Sequence, residues 1–251
     1  ARYLLSRSST ETGALKVLVG YDARKNSAIF ANDTAEVLSG HGIDALVTPQ
    51  HVPTPIAAFG VKHLGCDAAV MITASHNPAQ DNGYKVYLGG SDRGSQIVFP
   101  ADREIESWIR EVAGSLSFSR IPRSDANVSV LDNGIVTEYI TSVLRSLNLA
   151  KPVGRQVEVV YTAMHGVGGE TFLSAIAKAG FPELHVVEQQ FDPNPHFPTV
   201  AFPNPEEQGA LDLSFEKARS VAADLIIAHD PDADRLAVAL PDPSAPEGYR
   251  A

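Results

Sequence analysis

The sequence predicts an α/β fold, arranged as two three-layer α/β/α domains with mixed, mostly parallel sheets. Three observations carry that expectation. Short apolar runs of strand length alternate along the whole chain with longer segments of helical period, the pattern of strands joined by covering helices. Runs such as 68–72 and 225–228 are apolar throughout, as strands buried on both faces are. The segment Lys151-Pro152-Val153-Gly154 reads as a linker, dividing the 251 residues into domains at 1–150 and 151–251, each long enough to bury a core.

Taken in order, Tyr3, Leu4 and Leu5 form a short apolar cluster at the tail of a helix, and a Ser/Thr-rich loop follows. Residues 17–19 predict a buried strand that opens into Gly20-Tyr21-Asp22-Ala23-Arg24. Asn26 or Ser27 is placed to cap a helix reaching Ser39, with Gly40 and Gly42 as stop signals. Residues 43–47 form the next strand. Thr54-Pro55 starts a helix with a capping hydroxyl and a proline whose missing N–H costs nothing in the first turn. The run 68–72 delivers Thr73-Ala74-Ser75-His76-Asn77-Pro78 at its carboxyl end. Asn82-Gly83 is a turn signal that returns 84–88 as an antiparallel strand, bringing Lys85 near the serine turn.

Beyond Pro100, Ile105, Trp108, Ile109 and Val112 fall at i, i+3, i+4 and i+7, so this helical face is expected on the sheet and Trp108 in the core. Residues 115–131 carry no readable pattern, and 132–149 read as a helix with Ile140, Val143, Leu144 and Leu147 on one side. The second half repeats the alternation, with strands at 157–161, 184–187, 225–228 and 236–240 and helices at 169–179 and 208–222. Between them, 191–206 carries five prolines and is expected to be an extended, semi-rigid connection. In such folds ligands gather at the carboxyl ends of the parallel strands.

Composition narrows the function. With 20 basic against 30 acidic side chains the formal charge is -10, which argues against a nucleic-acid surface. No run is apolar and long enough to span a bilayer, and one cysteine, Cys66, allows no intrachain disulfide, so the expected setting is the cytoplasm without a membrane partner. Cys66 itself reads as core.

Two loops carry the chemistry. In Asp230-Pro231-Asp232-Ala233-Asp234-Arg235, three carboxylates on alternate residues of an extended loop point the same way and suit a hard divalent cation. An EF-hand is excluded, because Arg235 and Pro241 stand where glycine and glutamate are needed. Ser75 lacks the G-x-S-x-G frame of a nucleophile elbow, and side chains as close in sequence as Ser75 and His76 are expected to point apart. Alone, the serine turn is best read as side chains bonding their own backbone. The acidic loop changes that balance, since a phosphorylated serine needs a cation and the carboxylate trio would hold one. The joint reading is phosphoryl transfer, with Lys85 assisting proton transfer or charge balance and Arg24 and Arg235 contacting phosphate. A third motif, His165-Gly166-Val167-Gly168-Gly169 with Glu188 beyond it, approaches a dinucleotide fingerprint, but Thr171 replaces the third glycine and tight packing explains the rest.

TASHNP followed by QDNGYKVY (73–78 and 80–87), GYDAR (20–24), TAMHGVGG (162–169) and DPDADRLAV (230–238) together resemble the α-D-phosphohexomutases, the family of phosphoglucomutase and phosphomannomutase. That resemblance covers nearly the whole chain. It implies a phosphoserine at Ser75, Mg²⁺ held by Asp230, Asp232, Asp234 and the serine, a general acid or base in Lys85, and His76, Asn77, Arg24 and Arg235 around the transferring phosphoryl. It further implies sugar phosphates as small-molecule partners, transfer between their 1- and 6- or 1- and 5-positions through a bisphosphate intermediate, and an activator of the glucose 1,6-bisphosphate type. The family's Gly-Glu sugar loop and Arg-Pro-Ser-Gly-Thr phosphate loop do not occur in the sequence, and it opens on Ala1. The resemblance therefore implies the first two domains of a four-domain mutase, a poor mutase alone. The competing expectations are a metal-binding or assembly module without turnover and a nicotinamide-binding protein. Oligomeric state is not legible.

Overall fold

The computed structural model describes residues 1–7, 13–147 and 156–251. The expected linker at 151–154 and part of the Ser/Thr-rich loop lie outside them. The first sheet is built from β1 (Lys16–Tyr21), β2 (Asp44–Val47), β3 (Ala68–Ile72), β4 (Tyr84–Leu88), β5 (Ser95–Gln96) and β6 (Val128–Val130), in the order β5-β4-β3-β1-β2-β6. β1 pairs in parallel with β2 and β3, and β6 in parallel with β2, whereas β4 and β5 are antiparallel. The second sheet contains β7 (Val159–Thr162), β8 (His185–Val186), β9 (Leu225–His229), β10 (Leu236–Pro241) and β11 (Tyr249–Arg250), ordered β11-β10-β9-β7-β8. Here β7 is parallel to β8 and β9, and β10 is antiparallel to both its neighbours.

Helices cover both faces of each sheet. Val17 and Val19 of β1 point into a cluster with Ala31 and Ala35 of α2 (Ser27–Ser39), while Leu18 points the other way, against Ala57 and Val61 of α3 (Thr54–His63). This is the period-two alternation of a strand buried on both sides. In the second sheet, Val160 and Ile226 meet Ala218 of α7 (Asp212–Val221), and Tyr161 and Ile227 meet Phe172 and Ile176 of α6 (Gly169–Lys178). Two further helices, α4 (Ala101–Ser115) and α5 (Gly134–Leu147), and a short α1 (Arg2–Arg7) complete the set among the described residues. None is long and apolar enough to cross a membrane.

Several local expectations are corrected. Asn26 occupies the N-cap of α2 in a left-handed conformation but makes no capping hydrogen bond, and Ser27, the other candidate, donates its Oγ to Asp22 Oδ1 at 2.6 Å instead. The Thr54 hydroxyl likewise caps nothing at α3. The apolar face of α4 is only partly covered: Trp108 packs at the margin of the first core and Ile109 is 48% exposed. The proline-rich stretch is a succession of turns rather than an extended strap, and it is packed in place, with Phe197 buried and Asn194 N–H donating to the His165 carbonyl at 2.9 Å.

Cys66 is core, as expected. Burial pushes its thiol up to about 11, against the pull of Lys16, so almost no thiolate exists at mildly alkaline pH. The folded protein is expected to leave an aromatic disulfide reagent unreacted, and denaturant to release one reactive thiol; fast labelling of the native protein contradicts this packing.

Candidate active site

Both chemical loops form where strands end. Ser75 follows β3 in a turn at φ 54°, a left-handed conformation rare for a non-glycine residue. The turn is held from inside: Ser75 N–H donates to Thr73 Oγ1 at 2.8 Å, and Thr73 N–H to the Gly83 carbonyl at 3.0 Å. It is also held from beneath by Arg24, only 4% exposed. Arg24 Nη2 donates to the carbonyls of Ser75 (2.6 Å) and Asn77 (2.7 Å), and Nη1 to those of Pro78 (2.8 Å) and Asp81 (3.3 Å). Both terminal nitrogens are thus engaged by loop carbonyls, which gives Arg24 a clamping role on the serine turn beside the phosphate contact expected from the sequence.

The acidic loop follows β9. It is a tight turn, not an extended loop, with Ala233 at φ 54°. The turn, not strand alternation, makes Asp230, Asp232 and Asp234 converge, with one carboxylate oxygen of each within 4.8 Å of the others. Its seat is the glycine loop before α6. A Cβ on Gly166 would lie 2.3 Å from the Pro231 carbonyl oxygen, and one on Gly168 would lie 2.8 Å from Ala233 Cβ. Val167 N–H donates to the Pro231 carbonyl at 2.8 Å. The glycines let one loop lie directly on another, and Glu188 is engaged with Lys217 at 3.1 Å, so the dinucleotide reading has no support here.

The two loops meet. Ser75 Oγ donates to Asp230 Oδ2 at 3.2 Å, across 155 residues of sequence. His76 Nδ1 is 3.4 Å from the same Oγ, which corrects the expectation that the two side chains point apart: the left-handed turn swings them together. Lys85 Nζ, on β4, donates to Asp232 Oδ2 at 2.8 Å and Asp234 Oδ2 at 2.6 Å. Ser75, His76, Asn77, Lys85, Asp234 and Arg235 line one open cleft of about 430 Å³. Asn77 and Arg235 are exposed at its edge, where the Arg235 guanidinium adds positive charge, while its backbone N–H donates to Asp230 Oδ1 at 3.1 Å.

Electrostatics follow from burial. Asp230 and Asp232 are fully buried. Burial, then the charges of Asp232 and Asp234, pushes Asp230 up to about 7, as expected of a buried carboxylate clustered with two others. Burial works most strongly to raise Asp232, but Lys85 together with the hydrogen bonds to Thr54 and Asp230 outweighs it and holds Asp232 below its ordinary value. Burial works to lower Lys85 in turn, yet Asp232 and Asp234 hold it above the ordinary lysine value, so it is cationic at neutral pH. His76 is lowered by burial and by Arg235, which leaves it neutral. The donor set fits a hard divalent cation: all-oxygen ligands, excess negative charge, and Asp232 Oδ1 buried without a hydrogen-bond partner.

Sequence reasoning missed one participant. Thr54, read as a cap, donates its hydroxyl to Asp232 Oδ2 at 2.5 Å and its N–H to the Asp232 carbonyl at 2.9 Å.

Comparison with known proteins gives a consistent picture. The family models for alpha/beta/alpha domains I and II of phosphoglucomutase/phosphomannomutase match residues 1–113 and 137–243. A probable phosphomannomutase of Haemophilus influenzae is 51% identical over 226 residues, 90% of this chain and 46% of that protein. A phosphopentomutase of Homo sapiens is 38% identical over 89% of this chain and 38% of its own length. The chain thus spans less than half the length of these relatives. A solved phosphoglucomutase/phosphomannomutase family protein from Burkholderia thailandensis shares the fold, with a TM-score of 0.73 at 24% identity over 91% of this chain and 47% of the other.

Proposed function

The chain belongs to the phosphoglucomutase/phosphomannomutase family, and from that premise we propose that it carries the phosphoserine and metal half of a mutase acting on a sugar monophosphate. The observation that carries this reading is the 3.2 Å contact between Ser75 Oγ and Asp230, which joins a nucleophile from the first sheet to an acidic trio from the second. The domain boundary near 150, the cytoplasmic setting and an activator of the glucose 1,6-bisphosphate type belong to the same proposal.

In the proposed reaction the phosphorylated Ser75 meets a sugar hydroxyl in the cleft. The hydroxyl oxygen bonds to phosphorus as the bond from phosphorus to Ser75 Oγ breaks, and the proton lost by the sugar is matched by one gained on Oγ. The bisphosphate then reverses: Ser75 Oγ bonds to the other phosphorus as the bond from that phosphorus to the sugar oxygen breaks, and the proton Oγ gives up is matched by one gained on the sugar oxygen. Asp230, Asp232 and Asp234, with Ser75, would hold Mg²⁺, which when bound draws charge from the phosphoryl oxygens. Neutral His76, against Oγ, is placed to exchange the serine proton, and cationic Lys85 balances charge or acts as acid. Asn77 and Arg235, exposed at the cleft edge, would contact phosphate oxygens. Positioning and charge neutralisation supply most of the acceleration in such transfers.

The test is direct. Incubation with glucose 1,6-bisphosphate and Mg²⁺, followed by peptide mass analysis, is expected to place one phosphate on the peptide containing Ser75. A phosphate found only on another residue, or on none, overturns the proposal.

A further inference from the structure

We infer that Thr54 is a positioning residue of the metal centre: its hydroxyl fixes the Asp232 carboxylate so that Oδ1 is presented to the cation. The inference rests on reading the acidic trio as a divalent-cation site.

The contact has features that a chance surface hydrogen bond lacks. Thr54 is 2% exposed and Asp232 is fully buried. The two residues lie 178 apart in sequence and on opposite halves of the molecule, yet they join at two points, side chain to side chain at 2.5 Å and N–H to carbonyl at 2.9 Å. The backbone bond docks the start of α3 on the acidic turn. The side-chain bond does something else.

Asp232 Oδ2 receives two donors, the Thr54 hydroxyl and the Lys85 ammonium at 2.8 Å. Its other oxygen, Oδ1, is buried and has no partner. A buried carboxylate oxygen left bare is costly unless something occupies it, and here the carboxylate that carries it is part of the acidic cluster with Asp230 and Asp234. Rotating the carboxylate about its Cβ–Cγ bond would break the short bond to Thr54. The hydroxyl therefore fixes the plane of the carboxylate, so that the oxygen it does not engage is the one left free for the cation. Lys85 alone does so less firmly, because its flexible ammonium is shared with Asp234 at 2.6 Å. Removing such outer partners of metal ligands costs roughly 10–100-fold in metal affinity.

The experiment measures Mn²⁺ binding to the unphosphorylated protein by the loss of the free aqua-ion signal in electron paramagnetic resonance, without any turnover. Thr54→Val keeps the shape and the backbone N–H but removes the hydroxyl, and Thr54→Ser keeps the hydroxyl. Thr54→Val is expected to bind Mn²⁺ about 10-fold or more weakly, and Thr54→Ser to restore wild-type affinity. Thermal melts and circular dichroism on all three report folding separately. If Thr54→Val melts early, the serine variant decides, since a purely packing role would not be rescued by a smaller side chain. A Thr54→Val protein that binds Mn²⁺ like wild type, or a serine variant as weak as valine, overturns the inference while leaving the metal site standing. A wild-type protein that binds no Mn²⁺ at all overturns the metal reading and the inference with it.

Discussion

Ser75→Ala is expected to abolish phosphate uptake from a sugar bisphosphate and, in a full-length mutase of the kind proposed, to lower sugar-phosphate interconversion by on the order of 10⁴-fold or more, as removal of a covalent nucleophile does. The size follows from the proposed chemistry, in which every turnover passes through an O–P bond to this one oxygen. The backbone complicates the variant in a known direction. Ser75 sits at φ 54°, where an L-residue without a polar side chain is strained by roughly 1–2 kcal/mol, so alanine perturbs the turn as well as deleting the hydroxyl. Ser75→Gly removes the oxygen but tolerates the conformation. Both variants are expected to be inactive, with glycine the better folded. Single-turnover measurement of phosphate transfer separates the two effects, and a Ser75→Gly protein that turns over at the wild-type rate sinks the assignment of Ser75 as the phosphoryl carrier.

The pairing of two loops was legible because each follows an apolar run, and strands that are buried on both faces announce themselves locally. Residues 68–72 and 225–228 needed no tertiary information to be read as strands. Three of the four edge strands were not legible for the converse reason, β8 being the exception. β6 is three residues, mostly exposed, and β5 and β11 are two residues each, too short for alternation to register. At the site, the residue types in the loops suggested their chemistry, but partners did not follow from type. Thr54 looked like a cap because Thr-Pro before a helix usually is one; its acceptor is 178 residues away, and no local pattern encodes that distance. The convergence of the aspartates was expected for the wrong cause, strand alternation instead of a left-handed turn at Ala233. The glycine loop shows how one pattern serves two ends. Gly166 and Gly168 permit close backbone approach, as in a dinucleotide fold, but what approaches is the acidic turn of the same chain.

Arg24→Met is expected to lower the unfolding free energy by about 3–5 kcal/mol, the cost of leaving a buried charge and its partners unmatched. Methionine can fill the space but donates nothing. Asp22, 2% exposed, would lose the guanidinium whose Nε lies 3.4 Å from its Oδ2, and the carbonyls of Ser75, Asn77, Pro78 and Asp81 would lose their shared donors. Two of those carbonyls belong to the nucleophile's own turn, so the damage reaches function. The Arg24 guanidinium also sits 5.1 Å from the Phe197 ring centroid, tying the proline-rich turns to the same point. Arg24→Lys keeps a charge for Asp22 but cannot fork to four carbonyls, and it is expected to fall between wild type and methionine in urea denaturation. Both variants should also accept phosphate on Ser75 more slowly than wild type, in the order of their stabilities, because the turn that aims Oγ at Asp230 is no longer held from below. An arginine that served only as a phosphate contact predicts the opposite pattern: stability within about 1 kcal/mol of wild type, as for surface substitutions, with slowed transfer alone. Urea midpoints for the three proteins therefore decide between a clamp on the serine turn and a ligand for its phosphoryl group.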